Sequence, residues 1–348
     1  MTSAKSARTQ LGYARGFDDR EFKLSDDTRT ASWKQAVARF PEHMRFDIDA
    51  MWNHGGMLHA ETVQRLVRNE NEIGRLMINL LPVAQQYAVA SISDYKVGAV
   101  AAGMPTANTR WCNLYLGANI EFSGMAPSFT IHAEQAATNN AWLSDESGIQ
   151  SLAISAPPCG YCRQFLYELV TARQLQILSP TNQFSPSSYE STPLTEFLPA
   201  PFGPSDLGLR GGLMDPALGE HTLTLETGNP NDKLIAQALA AAQQSYNPYL
   251  DNSGYAGVAV QLKDGTTYPG RVAENAAYNP SLSPLGSALA FMNMRRPPGS
   301  AQAIERCVLV EVPTRAGQLS ATQAVLASYA PRTNVEYYTA SVATGPQN

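Results

Sequence analysis

The sequence predicts a layered α/β protein built from two similar units, and three observations carry that expectation. Short apolar runs with strand character alternate with segments of helical period. The order helix, hairpin, helix, strand is met before residue 179 and again after residue 232. The pattern Gly-x-x-x-Glu also recurs, at Gly117–Glu121 and Gly270–Glu274, an offset of 153 that marks a weak internal repeat.

Each element has its own reason. Residues 1–30 are polar and aperiodic, which predicts a loose terminus. Residues 31–56 show weak helical spacing around Pro41 and predict one or two short helices ending at Gly55-Gly56. Thr62, Val63, Leu66 and Val67 share one helical face; Met77, Leu80, Leu81, Ala84, Tyr87 and Ala88 share another. Pro82 is expected at the first turn or a kink of that second helix. YKVGAVAAG and WCNLYLGANIEF read as strands around a turn-rich insertion at Pro105–Asn108. IHAEQAATNNAWL reads as a helix, SLAISA as a strand, and PCGYCRQFLYELV as a helix with Pro158 near its start. LQILS is expected as the last strand of the first unit. Between Ser179 and Asp232 periodicity fades and six prolines fall from Pro180 to Pro204, as in a linker. The second unit follows as helix KLIAQALAAAQQSY, a hairpin turning at Asp264-Gly265, helix LGSALAFMNM and strand CVLVEV.

Composition narrows the function. The 348 residues carry 25 Lys+Arg against 30 Asp+Glu, a net charge of −5, and no basic stripe, which counts against nucleic-acid binding. At 44% hydrophobic and 16% charged residues, the chain can bury a sizeable core. No apolar run approaches the ~20 residues that span a bilayer, and the N-terminus lacks the apolar core of a signal peptide, so no membrane partner is expected. Four cysteines are not a disulfide framework; the expectation is a reducing, cytoplasmic setting in which clustered cysteines bind metal or react.

One constellation carries chemistry. His132 and Glu134 open one predicted helix; Cys159 and Cys162 open another. One imidazole and two thiols suit tetrahedral zinc, and three ligands leave a position for water as catalytic sites do. A helix N-terminus also favours thiolates. Glu134, two residues from His132, stays free as a carboxylate beside that water, as a proton shuttle needs. Taken alone, Cys159-x-x-Cys162 also fits a redox pair, and Cys112 as a fourth ligand would make the site structural, although its strand-like run reads as core. Cys307 reads as core too, and His43, His54, His59 and His221 have no ligand-like neighbours. Asn119 can donate and accept and Glu121 only accepts, which suits sugar hydroxyls. No phosphate-binding glycine loop is evident, so no nucleotide cofactor is expected.

His-x-Glu followed by Pro-Cys-x-x-Cys is the general signature of zinc nucleobase deaminases. With SDYKVGAVAAG, YLGANIEF, IHAEQAATNNAWLS, PPCGYCRQFLYEL, LPAPFGPSDLG and AENAAYNPSLSPLGSAL, the chain resembles the cytidine deaminases of the homodimeric, two-domain type. The resemblance implies a three-layer α/β/α fold, duplicated, with a small helical N-terminal region. It implies zinc held by His132, Cys159 and Cys162, proton transfer by Glu134, and ribose contacts from Asn119 and Glu121. Tyr95 stands where the family commonly has a phenylalanine near the pyrimidine, and Phe202 would close over the base, preceded by Pro201 where the family has alanine. It implies hydrolysis of cytidine and deoxycytidine to uridine, deoxyuridine and ammonia; the alternatives are another nucleoside or base, or a silent zinc-stabilised module. The chain then divides into a helical and partly loose region over 1–56, a catalytic domain over 57–178, a linker over 179–231 and a non-catalytic domain over 232–348. The offset of 153 places Leu285 opposite His132 and Ser287 opposite Glu134, with no cysteine near Val312–Arg315, so the second unit lacks the catalytic groups.

Overall fold

The computed structural model describes residues 31–105, 110–181, 188–249, 254–295 and 304–343. The expectations for residues 1–30, and for 106–109 of the insertion, lie outside them.

The described residues open with helices α1 (Ala31–Ala38) and α2 (Glu42–Ala50), which flank Pro41 as expected. Strand β1 (Met57–Leu58) leads to α3 (Ala60–Leu66) and α4 (Ile73–Ala84). Pro82 lies in the last turn of α4, not the first, and the helix passes into a 3-10 turn at Gln85–Tyr87. A proline withholds one backbone donor and crowds the preceding turn, which fits an end as well as a start.

Strands β2 (Gly98–Gly103) and β3 (Leu114–Ala118) form the first hairpin, followed by α5 (Ala133–Trp142), β4 (Ile149–Ile154), α6 (Gly160–Leu166) and β5 (Gln176–Pro180). The linker is not structureless. It adds β6 (Tyr189–Pro193), which pairs antiparallel with β5. A short α7 (Leu194–Phe197) and β7 (Leu223–Leu225) follow. The second unit contains α8 (Lys233–Gln243), β8 (Ala256–Leu262), β9 (Thr267–Arg271), α9 (Pro284–Arg295) and β10 (Ile304–Glu311). Beyond the expected elements it also has α10 (Leu319–Tyr329) and β11 (Val335–Val342).

The sheets run β1-β3-β2-β4-β5-β6 and β7-β11-β10-β8-β9. Apart from β1, one order maps onto the other: β3-β2-β4-β5-β6 onto β9-β8-β10-β11-β7. Among the described strands only β4–β5 and β10–β11 pair parallel, and the other pairs are antiparallel. The duplication is therefore one of spatial strand order; β6 follows β5 in the chain, whereas its counterpart β7 precedes β8.

Alternation along the strands builds the layers. Val100, Ala102 and Ala153 face a core with α1 to α4. Ala99, Ala101, Leu152 and Ile154 face the opposite way, with α5 and α6. That second core continues without a break into Leu285, Leu289, Phe291, Val258, Val260 and Leu309 of the second unit. Outside the second sheet, Leu234, Ile235 and Ala238 of α8 cover Ala259, Val308 and Val310. The layers are thus helices, sheet, shared helices, sheet, helix.

The recurring glycine has a steric cause. A Cβ on Gly117 would overlap the backbone of Ala137 and Ala133 in α5. A Cβ on Gly270 would overlap the backbone of Ala288 and Pro284 in α9. These contacts also correct the repeat. The strands register at 153, but the helices register at 151, Ala288 against Ala137 and Pro284 against Ala133. The strand-to-helix connection is two residues shorter in the second unit. Ser283, rather than Leu285, stands opposite His132, and Leu285, rather than Ser287, stands opposite Glu134.

Candidate active site

Two helix N-termini place the metal-binding group. Beyond β3, Ile120 bridges Ile131, which sets the next residue, His132, as the N-cap of α5. The backbone N–H of His132 donates to Gln135 Oε1 at 3.1 Å, half of a capping box. Beyond β4, Cys159 is the N-cap of α6, its Sγ accepting from the Cys162 N–H at 3.4 Å. The caps converge: His132 Nδ1 lies 3.2 Å from Cys162 Sγ and 3.7 Å from Cys159 Sγ, and the two sulfurs are 3.5 Å apart.

Zinc with ligand distances of about 2.0–2.3 Å spaces tetrahedral donors roughly 3.5–3.8 Å apart. The three donors, separated by 3.2, 3.5 and 3.7 Å, lie close to that spacing, and no other such group occurs among the described residues. Cys112 and Cys307 are buried in the cores, as read from the sequence. The hydrogen bond from the Cys162 thiol, aided by His132 and the helix N–H groups against burial, pushes the Cys159 thiol down to about 5. One thiolate is therefore ready for a metal at neutral pH.

Glu134 sits in the first turn of α5 and is 4% exposed. Burial pushes its carboxyl up, against its own backbone N–H and Cys162. A carboxyl held toward the protonated form beside a metal-binding triad can both take and give a proton.

Asn119 and Glu121 leave the end of β3 and are both buried. Glu121 accepts from the backbone N–H groups of Ile92 at 2.7 Å and Ser93 at 2.9 Å, and from the Ser93 hydroxyl. Burial opposes its ionisation, but these bonds win and hold the carboxyl below its ordinary value. Asn119 accepts from Val97 N–H at 2.9 Å and donates to the Tyr95 carbonyl at 3.0 Å. The two residues thus grip the 92–97 loop, a structural use the sequence did not show. Tyr95 is 61% exposed and Phe202 45% exposed; the first is tied to Asn119 by its carbonyl, the second to Gln164.

Sequence reasoning missed several supporting residues. Tyr161, between the cysteines, stacks on His132 with centroids 5.1 Å apart. Arg163 donates to the carbonyls of Pro158 at 2.8 Å and Phe197 at 3.1 Å. Only adjacency to Cys162 hinted at either. Ser93 opens the SDYKVGAVAAG stretch, but nothing in it marked the residue as a partner of Glu121.

Comparisons with known proteins give the chain a family. The family model described as "Cytidine and deoxycytidylate deaminase zinc-binding region" matches residues 71–177, and a second model of the same description matches residues 194–325. A cytidine deaminase of Photorhabdus laumondii is 45% identical over 76% of this chain and 82% of its own length. One from Aliivibrio fischeri is 38% identical over 87% of this chain and 96% of its own. A solved cytidine deaminase from Burkholderia pseudomallei, at 22% identity and a TM-score of 0.30, covers 36% of this chain and 97% of that one. With one zinc-binding region matched in each unit and relatives this similar over most of their length, the chain belongs to the cytidine deaminase family.

Proposed function

We propose that this protein hydrolyses cytidine and deoxycytidine to uridine and deoxyuridine, releasing ammonia, in pyrimidine salvage. The observation that carries the reading is the convergence of His132, Cys159 and Cys162, with the buried Glu134 in the helical turn that His132 caps. Zinc held by His132, Cys159 and Cys162 would supply Lewis-acid activation of water, lowering its pKa toward neutrality.

The remaining work falls to the chain. Glu134 takes the proton of the attacking water at its carboxylate and passes it to N3 of the pyrimidine as C4 becomes tetrahedral. It then helps deliver a proton to the departing amine. Water gives its oxygen to C4, and the amine leaves as ammonia. Asn119 and Glu121 bind the ribose hydroxyls with the lone pairs and N–H that the 92–97 loop leaves to them. Tyr95 and Phe202 bound the ring, and their exposure fits residues that a substrate covers.

The chain works in this reading as a cytoplasmic homodimer. The continuous core between its two units gives each chain the packing that a second subunit would otherwise supply. No helix among the described residues is long and apolar enough to cross a membrane. Purified protein given cytidine should lose the cytidine ultraviolet absorbance and release one ammonia per turnover. Absence of both with cytidine and deoxycytidine, in zinc-loaded protein, refutes the reading. Size measurement at the mass of one chain refutes the dimer.

A further inference from the structure

The segment that carries Phe202 is tied by side chains that lie outside it. It leaves α7 at Phe197 and reaches the 3-10 turn Pro204–Leu207 with no strand pairing. Arg163 holds the Phe197 carbonyl at 3.1 Å, and Gln164 Nε2 donates to the Phe202 carbonyl. A Cβ on Gly203 would meet the Tyr167 ring at 2.6 Å, so the loop packs directly against that ring. Arg163, Gln164 and Tyr167 all belong to α6 or its C-cap, the helix that begins at Cys159. The loop is therefore built on the helix that holds two metal ligands.

A glutamine amide is a loose tether unless its orientation is fixed. Here the second unit fixes it. Asn275, fully buried, donates from Nδ2 to the Gln164 carbonyl at 3.0 Å. Its Oδ1 accepts from the Ala277 N–H at 3.0 Å and from Gln164 Nε2 at 3.4 Å. One Nε2 hydrogen of Gln164 thus meets Asn275 and the other meets Phe202. A flipped amide would set its oxygen against two acceptors. In the first unit the position equivalent to Asn275 by the strand offset is the buried Phe122. A buried Asn is costly unless bonded, and both side-chain ends of Asn275 are bonded, each with a contact in the catalytic unit.

We propose that Asn275 is a positioning residue: the unit without catalytic groups orients Gln164 and so places Phe202 over the base. The proposal rests on the reading of Phe202 given above. The full-length, zinc-loaded enzyme tests it through Asn275→Ala, Gln164→Met, Phe202→Ala and the double variant Phe202→Ala/Asn275→Ala. One hydrogen bond of this kind corresponds to about 2- to 10-fold. KM for cytidine should rise by that factor in Asn275→Ala and Gln164→Met, with kcat and zinc content nearly unchanged. The double variant should be no worse than Phe202→Ala alone, and backbone amides of residues 198–203 should exchange hydrogen faster in Asn275→Ala. Effects of Asn275→Ala and Phe202→Ala that multiply, an unchanged KM, or unchanged exchange overturn the proposal. If Phe202→Ala itself leaves KM intact, the base-closing reading of Phe202 fails, and the exchange data alone then decide whether Asn275 holds the loop. Gln164→Met, on a half-buried side chain, keeps the test open should Asn275→Ala fold poorly.

Discussion

The two units spend the same structural position differently. At the start of α5 the capping residue is His132, whose ring meets two cysteines; at the start of α9 it is Ser283, whose hydroxyl accepts the Gly286 N–H at 3.1 Å. Glu121 and Glu274 also correspond, and each accepts a backbone N–H from the loop after the preceding helix, Ile92 at 2.7 Å and Tyr249 at 3.1 Å. In the first unit that loop is also held by Asn119, through Val97 N–H and the Tyr95 carbonyl. In the second, the Tyr249 hydroxyl turns to Glu168 of the first unit. The fold demands a glycine under the helix, a cap and a carboxylate on the loop. It does not demand a ligand as the cap, so chemistry can be kept in one copy and released in the other.

The metal ligands should give the sharpest break between the units. Cys162→Ala should abolish both zinc binding and turnover, and wild type should hold one zinc per chain by elemental analysis. Two zincs per chain would erase the asymmetry, and a zinc-replete, active Cys162→Ala protein would remove the site. Next in size is Glu134→Gln, which keeps the shape and loses the ionisable proton carrier. A loss of roughly 10²–10⁴-fold in kcat at unchanged zinc content is expected. A nearly normal kcat would take Glu134 out of the chemistry.

The matched carboxylates allow a finer test. Removing a hydrogen bond to a buried charged group costs about 1.5–3 kcal/mol, or roughly 10- to 150-fold. Glu121→Ala should lose about that much with cytidine and much less with free cytosine, which has no ribose. Glu274→Ala should change neither ratio. Equal losses for cytidine and cytosine in Glu121→Ala would show that Glu121 makes no sugar contact.

How much of this was legible follows from which signals are local. His132, Cys159 and Cys162 could be read because each caps a helix directly after a strand-like run, and ligand chemistry restricts residue type. The glycine offset was legible because steric overlap with a helix backbone excludes every side chain. The two-residue shortening before α9 was invisible, because a connecting loop leaves no period to count, and it moved the counterpart of His132 to Ser283. Strands β6 and β7 were hidden for a related reason. Edge strands need pair on only one side, so YESTP and LTL tolerate polar residues and proline and read as linker. Strand β11 was missed because half-buried residues line nearly all of it, which blurs alternation. The grip of Glu121 on Ile92 and Ser93 joins residues 28 and 29 positions apart, and no local pattern announces such a pair.

The smallest expected effect concerns the seam itself. Glu168 is buried between the units and accepts hydrogen bonds from Tyr246 at 2.7 Å, from Tyr249, and from the Ala276 N–H at 3.0 Å. Burial pushes its carboxyl above the ordinary glutamate value, although all three bonds favour the charged form. A carboxyl whose pKa is raised on folding favours the folded state while protonated. That contribution is full below the unfolded pKa and is lost as pH rises through the folded one. Glu168 therefore makes the folded chain lose stability over a window that begins at the usual glutamate range and extends above it. Glu168→Gln keeps an acceptor for the tyrosines but cannot ionise. Thermal unfolding of this variant should vary less with pH across that window than wild type, while zinc content stays at one per chain. An unchanged pH profile would mean that Glu168 titrates alike in the folded and unfolded chain, and that the seam between the units holds no ionisable strain.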